Sequence, residues 1–170
     1  KAPDVEILIK QDEIVKLLLA MVRNPFGGEM SAKAVAPLAE FAKRDPALVD
    51  LLLQELKKGT PTTKLRVIRT LAAVGAPAKD AATPDLKALL KDPKLGNDAA
   101  IALALFGGPF APDDISNIVR GMMRVNDLDA QLKIALKIID SPGVGKSFSK
   151  ELELVLMKGL STSSVGQEIT

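Results

Sequence analysis

Large apolar residues return along this chain at a nearly fixed interval. Leu38, Leu71, Leu103 and Leu136 lie 33, 32 and 33 residues apart, and three residues after each comes another large apolar residue, Phe41, Val74, Phe106 and Ile139. Four residues before the anchors stand Ala34, Val67, Ala99 and Leu132. Three before them stand Val35, Ile68, Ala100 and Lys133, of which only Lys133 is polar. Apolar positions at i, i+3, i+4 and i+7 share one face of a 3.6-residue turn, so each place predicts an amphipathic helix. A second series interleaves with the first: Leu53, Leu86, Ile118 and Leu152, spaced 33, 32 and 34 apart. Leu56, then Leu89 and Leu90, then Met122, then Val155 and Leu156 extend these stripes. Each period therefore holds two helices. No segment alternates with period two for long enough to argue a strand.

Breakers fall between the stripes: Asp45-Pro46, Gly59-Thr60-Pro61, Gly75-Ala76-Pro77, Asp92-Pro93, Gly107-Gly108-Pro109 and Ser141-Pro142-Gly143. Pro starts or stops a helix and Gly accepts the left-handed cap. The pattern predicts helices over 4–9, 11–23, 30–43, 46–58, 62–74, 79–91, 97–106, 113–124, 127–139 and 148–159. A helix pair cannot bury its apolar stripe alone, and stacking such pairs makes one continuous core. The expected fold is all-α: an α-solenoid of about 4.5 antiparallel helix pairs of about 33 residues each. Counting back from Leu38 reaches Val5, inside an apolar stretch. The expected organisation is a partial repeat over 1–27, repeats over 28–60, 61–93, 94–126 and 127–160, and a polar tail over 161–170.

One repeat is distinctive in detail. Lys64-Leu65-Arg66-Val67-Ile68-Arg69-Thr70-Leu71-Ala72-Ala73-Val74-Gly75 leads through Ala76-Pro77-Ala78 to Pro84-Asp85-Leu86-Lys87-Ala88-Leu89-Leu90 and Asp92-Pro93. This stretch resembles a short HEAT-like repeat of the type also found in phycobilisome lyases. That family has an Arg- and Ala-rich helix ending in Gly, a Pro/Ala linker, then a Pro-x-Leu-x-x-Leu-Leu helix and Asp-Pro. After Asp-Pro the family usually has Val-Arg, where this chain has Asn97-Asp98. The Thr-Pro-Leu-His signature of ankyrin repeats is absent, as are the Trp, Tyr and Gly positions of tetratricopeptide repeats. The resemblance implies a stacked helical array that serves as a protein-binding scaffold. It also implies an alternative, a bilin lyase-like enzyme, in which the reactive thiol belongs to the substrate protein.

Composition removes several function classes. The chain has no Cys, His, Trp or Tyr. Zinc sites lean on Cys and His, and nucleophilic triads need His or Cys, so neither is expected. The chain is therefore expected to be no enzyme and to need no cofactor. Net charge is only +2, too small to suggest nucleic acid by itself. No apolar run reaches the length of a membrane span. The sequence begins at Lys1, which leaves an exported mature form and a fragment of a longer chain as alternatives, and with them an exported or a cytoplasmic location.

Charge is uneven along the chain. Over residues 57–94, nine cations (Lys57, Lys58, Lys64, Arg66, Arg69, Lys79, Lys87, Lys91, Lys94) face three acids (Asp80, Asp85, Asp92), a local excess of +6. Such a field steers an acidic partner. Lys57, Lys58, Lys64, Arg66 and Arg69 are thus the candidate contacts to an acidic protein surface. A nucleic acid is the alternative occupant, disfavoured because base stacking needs aromatics and the chain has five Phe as its whole supply. Phe26 and Phe110 lie in glycine-rich turns. They are expected to pin loops, or to anchor a partner if exposed.

Asp140-Ser141-Pro142-Gly143-Val144-Gly145-Lys146-Ser147 nearly spells a phosphate-binding loop. Asp140 replaces the first Gly with a like charge, and Leu136 and Ile139 before it keep the helical register. An interhelical turn is the expectation there. Asp113-Asp114 after Pro112 is expected to open a helix, where negative charge complements the dipole. The function expected from all of this is a non-catalytic protein-binding scaffold or structural subunit of a larger complex.

Overall fold

The computed structural model describes the backbone of residues 3–108, 110, 112–122, 128–140, 153 and 157. Among these, all regular structure is helical: α1 (Pro3–Arg23), α2 (Gly28–Lys33), α3 (Val35–Ala42), α4 (Pro46–Lys58), α5 (Pro61–Val74), α6 (Ala76–Leu89), α7 (Gly96–Phe106), α8 (Pro112–Met122) and α9 (Leu128–Ile139). The all-α class follows directly.

The helix ends obey the breakers. Asp45 caps α4, its carboxylate accepting the Ala47 N–H at 3.0 Å, with Pro46 in the first turn. Thr60 caps α5 by accepting the Thr63 N–H at 3.2 Å, with Pro61 behind it. Side-chain oxygens there replace the partners that a first turn lacks. Gly75 and Gly107 end α5 and α7 at φ +75°, a conformation that a Cβ would strain. α8 opens at Pro112, as the Asp113-Asp114 pair suggests.

Three predictions of helix extent differ. The helix expected over 79–91 begins earlier, at Ala76, with Pro77 in its first turn, and ends at Leu89. The pair expected over 4–9 and 11–23 is one helix, α1, because nothing between Ile9 and Gln11 breaks it and Lys10 is a good helix former. The helix expected over 30–43 is divided at Ala34 into α2 and α3. Pro37 is the cause. It has no N–H for the Lys33 carbonyl, and its ring displaces that carbonyl. Ala34 itself is a turn residue that keeps helical dihedrals, φ −73° and ψ −19°.

The chain divides into two compact units, Lys1–Asp85 and Leu86–Thr170. In the first, α3 and α4 both pack on α5, and α1 packs on α2, α3 and α5. Leu38, Leu48, Leu52, Val67, Ile68 and Leu71 are fully buried in it. In the second, α7 packs on α8 and α9, and α8 on α9. Its buried side chains include Leu103, Ile115, Ile118, Met122, Ile134 and Ile138.

The first three anchors, Leu38, Leu71 and Leu103, are thus interior. The fourth departs from expectation. Leu136 is 52% exposed and Ile139 45%, while Ile134, Ala135 and Ile138 are buried. Turning Leu136 inward would carry Lys133, three residues earlier, toward the core. A buried ammonium is costly, so α9 turns its other face inward and Lys133 stays exposed. For the helix expected over 148–159, only Glu153 and Met157 are described; both are helical and exposed, and the rest lies outside the described residues.

Candidate functional site

The candidate surface consists of cations, and Arg66, in the middle of the stretch, is not at the surface. Arg66 is only 7% exposed. Its guanidinium donates to the Val22 carbonyl at 3.3 Å and to the Asn24 carbonyl. One turn earlier on α5, the Thr63 hydroxyl donates to the Arg23 carbonyl at 3.3 Å. These are carbonyls at the end of α1, where no intrahelical donor remains. A planar cation with five N–H groups suits that place, since the helix C-terminus carries partial negative charge. The Arg23 side chain turns the other way and meets Glu55 of α4 at 2.8 Å. One polar clamp therefore ties α1 to α4 and α5. Arg66 belongs to this clamp, so its expected role as a partner contact is corrected.

The other cations divide. Lys57 is exposed and lies 3.3 Å from Asp85. Lys58 and Arg69 are exposed, and Lys64 is half-buried. In the second unit, Lys87 lies 2.7 Å from Asp114 of α8. With Arg66 inside and Lys87 beside Asp114, which lies outside residues 57–94, the basic excess of that stretch at the surface falls from +6 to about +4.

The two phenylalanines separate cleanly. Phe110 is 8% exposed, a packed residue, which corrects its candidacy as a partner anchor. Phe26 is 93% exposed. It sits in the turn between α1 and α2, where its N–H donates to the Asn24 Oδ1 at 3.0 Å and Gly28 takes φ +47°. Met30, on α2, is 62% exposed.

The remaining motifs carry little chemistry. Asp140 follows α9 as an exposed turn residue, its N–H donating to the Leu136 carbonyl at 3.0 Å. The segment leading into the loop-like motif is helix, where a phosphate-binding loop follows a strand; Ser141 to Ser147 lie outside the described residues. Among the described residues, no group of three or more acidic side chains is placed to hold a metal, and no helix is long and apolar enough to cross a membrane. A cleft of about 310 Å³ in the second unit is lined by Lys91, Asp92, Asn97, Asn117 and Arg120, among others. Asp92 is fixed there by accepting the Lys94 and Leu95 N–H groups at 2.8 and 2.9 Å. The lining is polar and without an aromatic ring, unlike the mostly apolar pockets that hold organic cofactors.

No protein-family model matches the chain, and no solved structure matches it. Among curated proteins, 104 residues, 61% of this chain, are 32% identical to part of the DNA-directed RNA polymerase subunit beta' of Pelotomaculum thermopropionicum (strain DSM 13744 / JCM 10971 / SI). The match spans 9% of that protein's length.

Proposed function

We propose that this chain is a non-catalytic binding module, a stacked array of HEAT-like helix pairs that holds a protein partner within a larger assembly. The observation that carries this reading is Phe26. A phenyl ring left 93% in water is unfavourable by about 2 kcal/mol relative to burial. The turn that presents it is fixed by the Asn24 side chain, so little order is lost when a partner covers it. Aromatic side chains, Phe among them, are enriched in protein interfaces relative to the rest of the surface. Packing of α1 on α3 and of α3 on α5 supports the stacked arrangement. The likeness to part of a protein named as a polymerase subunit agrees with membership of a complex.

The test is capture of a partner from the protein's own source with wild-type chain and with Phe26→Ser, both checked for helix content. Wild type is expected to enrich a discrete protein, and Phe26→Ser to retain it at least about tenfold less. A wild-type chain that enriches nothing, or a Phe26→Ser chain that captures equally well, overturns the reading. Retention of a tetrapyrrole through purification would instead favour the lyase-like alternative.

A further inference from the structure

The cleft of about 310 Å³ in the second unit is walled by the loop before α7, by the start of α7 and by α8. Asp92 pins the loop. Its carboxylate accepts the Lys94 and Leu95 N–H groups at 2.8 and 2.9 Å, and its carbonyl accepts the Gly96 N–H at 2.9 Å. Gly96 lets the chain turn back tightly, since a Cβ there would stand 2.6 Å from the Leu90 carbonyl oxygen. The α8 wall is also close, with a Cβ at Gly121 falling 3.3 Å from the Asn97 carbonyl oxygen. A cleft held in this way loses little order when it is filled.

The side chains around the cleft suit a carboxylate. Lys91 comes from the loop and Arg120 from α8, and both are exposed. Among the described residues, neither of them forms an ion pair. Asn97 of α7 and Asn117 of α8 add carboxamides, a group that both donates and accepts. Asp92, the one acid of this lining, offsets one of the two cations, so the lining carries a net charge of about +1. One carboxylate balances that charge. A phosphate group brings about −1.5 to −2 and leaves negative charge in excess beside Asp92. The guanidinium fork of Arg120 matches a carboxylate through two parallel N–H···O bonds. No aromatic ring lines the cleft, so a nucleic-acid base has nothing to stack on. We propose that this cleft takes a carboxylate side chain of an acidic protein segment. Arg120 and Lys91 hold the carboxylate, and Asn97 and Asn117 meet the main chain beside it. This rests on the binding-module reading and names the partner's chemistry, but it does not use the Phe26 surface. It also moves the acidic contact from the exposed cations of α4 and α5 to a shaped site.

The test is a titration of the purified full chain with a short poly-glutamate peptide, followed by nitrogen–proton NMR. In wild type, the side-chain amide signals of Asn97 and Asn117 and the Arg120 Nε–H signal are expected to move together and to saturate. Lys91→Gln with Arg120→Gln is expected to weaken binding at least about tenfold. Lys10→Gln with Lys16→Gln removes the same amount of charge from exposed positions on α1, and is expected to change the affinity less than about twofold. All four positions are exposed, so both variants are expected to keep wild-type helix content and melting behaviour. Equal weakening by the two pairs would mean unlocalised attraction between charges, and it overturns the proposal. So does a wild-type titration in which the cleft signals stay still, a result that needs no variant to fold. Inorganic phosphate or a single-stranded oligonucleotide that moves the same signals at lower concentration than the peptide also overturns it. The chain is purified and the probe synthetic, so the outcome is independent of whether Phe26 captures a partner.

Discussion

Helices α5 and α7 occupy equivalent places in the sequence period, anchored on Leu71 and Leu103, and their interiors are built from different chemistry. α5 buries Thr63, Arg66 and Thr70 beside Val67, Ile68, Leu71 and Val74. The Thr70 hydroxyl donates back to the Arg66 carbonyl at 2.9 Å, and the other two polar groups reach the end of α1. α7 buries Gly96, five alanine or leucine side chains and Phe106, with no polar side chain among them. It holds α8 by close approach. A Cβ built at Gly121 of α8 would stand 2.9 Å from the Ala100 Cβ and 3.3 Å from the Asn97 carbonyl oxygen. One unit is therefore fastened by hydrogen bonds to a helix end, the other by the smallness of facing residues. The same apolar period accommodates either, because the stripe says which face goes inward and not what holds the neighbour.

Arg66→Met is the sharpest way to break this contrast. Met keeps the apolar length of the side chain and removes the donors. The buried Val22 carbonyl then loses its charge-assisted partner, while the Asn24 carbonyl keeps the Gly27 N–H. An orphaned buried group costs about 1–3 kcal/mol, so with the lost charge-assisted bond to Asn24 a cost of up to about 3 kcal/mol is expected. Urea unfolding followed by circular dichroism measures the loss, and amide exchange should quicken first at the end of α1. Arg66→Lys should recover only part of the loss, since an ammonium cannot span both carbonyls as a guanidinium does. A cost below about 1 kcal/mol for Arg66→Met would mean that water replaces the clamp and that α5 resembles α7 after all.

Gly121→Ala probes the other side, with a smaller effect. The new methyl group must push against the Ala100 Cβ, and strain of this kind costs about 2 kcal/mol. Adding Ala100→Gly removes the methyl group it meets. The double variant should then be more stable than the sum of the two single costs predicts, by about 1 kcal/mol in a double-mutant cycle. Full additivity would show that α7 and α8 separate freely and that their contact does not depend on small residues.

These two devices differ in how far the sequence reveals them. Periodicity places α3 to α8 well, because Leu38, Leu71 and Leu103 are interior and Pro or Gly marks most ends. It places Arg66 wrongly, because a cation in a helical stretch reads as solvated and the excess of charge around it draws attention outward. A signal was present all the same. Thr63, Arg66 and Thr70 follow one another at helical spacing along the edge of the Val67–Leu71–Val74 stripe, where an exposed cation has no reason to be. What the pattern cannot supply is the acceptor, since the end of α1 lies about forty residues away in sequence. The slip of α9 had its own marker in Lys133, the one polar residue at its stripe position. Phe26 and Phe110 look alike in sequence, each in a glycine-rich turn, and only packing separates the exposed ring from the buried one.

The smallest effect sharpens the contrast at the surface, where the same kinds of group meet in water. Glu40 and Lys43 of the α3 end form a hydrogen-bonded ion pair three residues apart, with the Glu40 side chain 63% exposed. The Lys43 hydrogen bond, and then the Lys43 charge, hold the Glu40 carboxyl below the usual glutamate value. Folded Glu40 therefore stays ionised to lower pH than it does in the unfolded chain. Its contribution is present above the ordinary glutamate pKa and is lost as pH falls through the lowered value. Glu40→Gln should leave thermal stability unchanged in acid below that window and lower it only slightly near neutrality, and moderate salt should erase the difference. Melting curves of both proteins across the acid range measure this. A Glu40→Gln cost at neutral pH as large as that of Arg66→Met would contradict the principle on which the contrast rests, that a cation acts strongly where the helix end and the protein interior exclude water, and weakly where water competes for it.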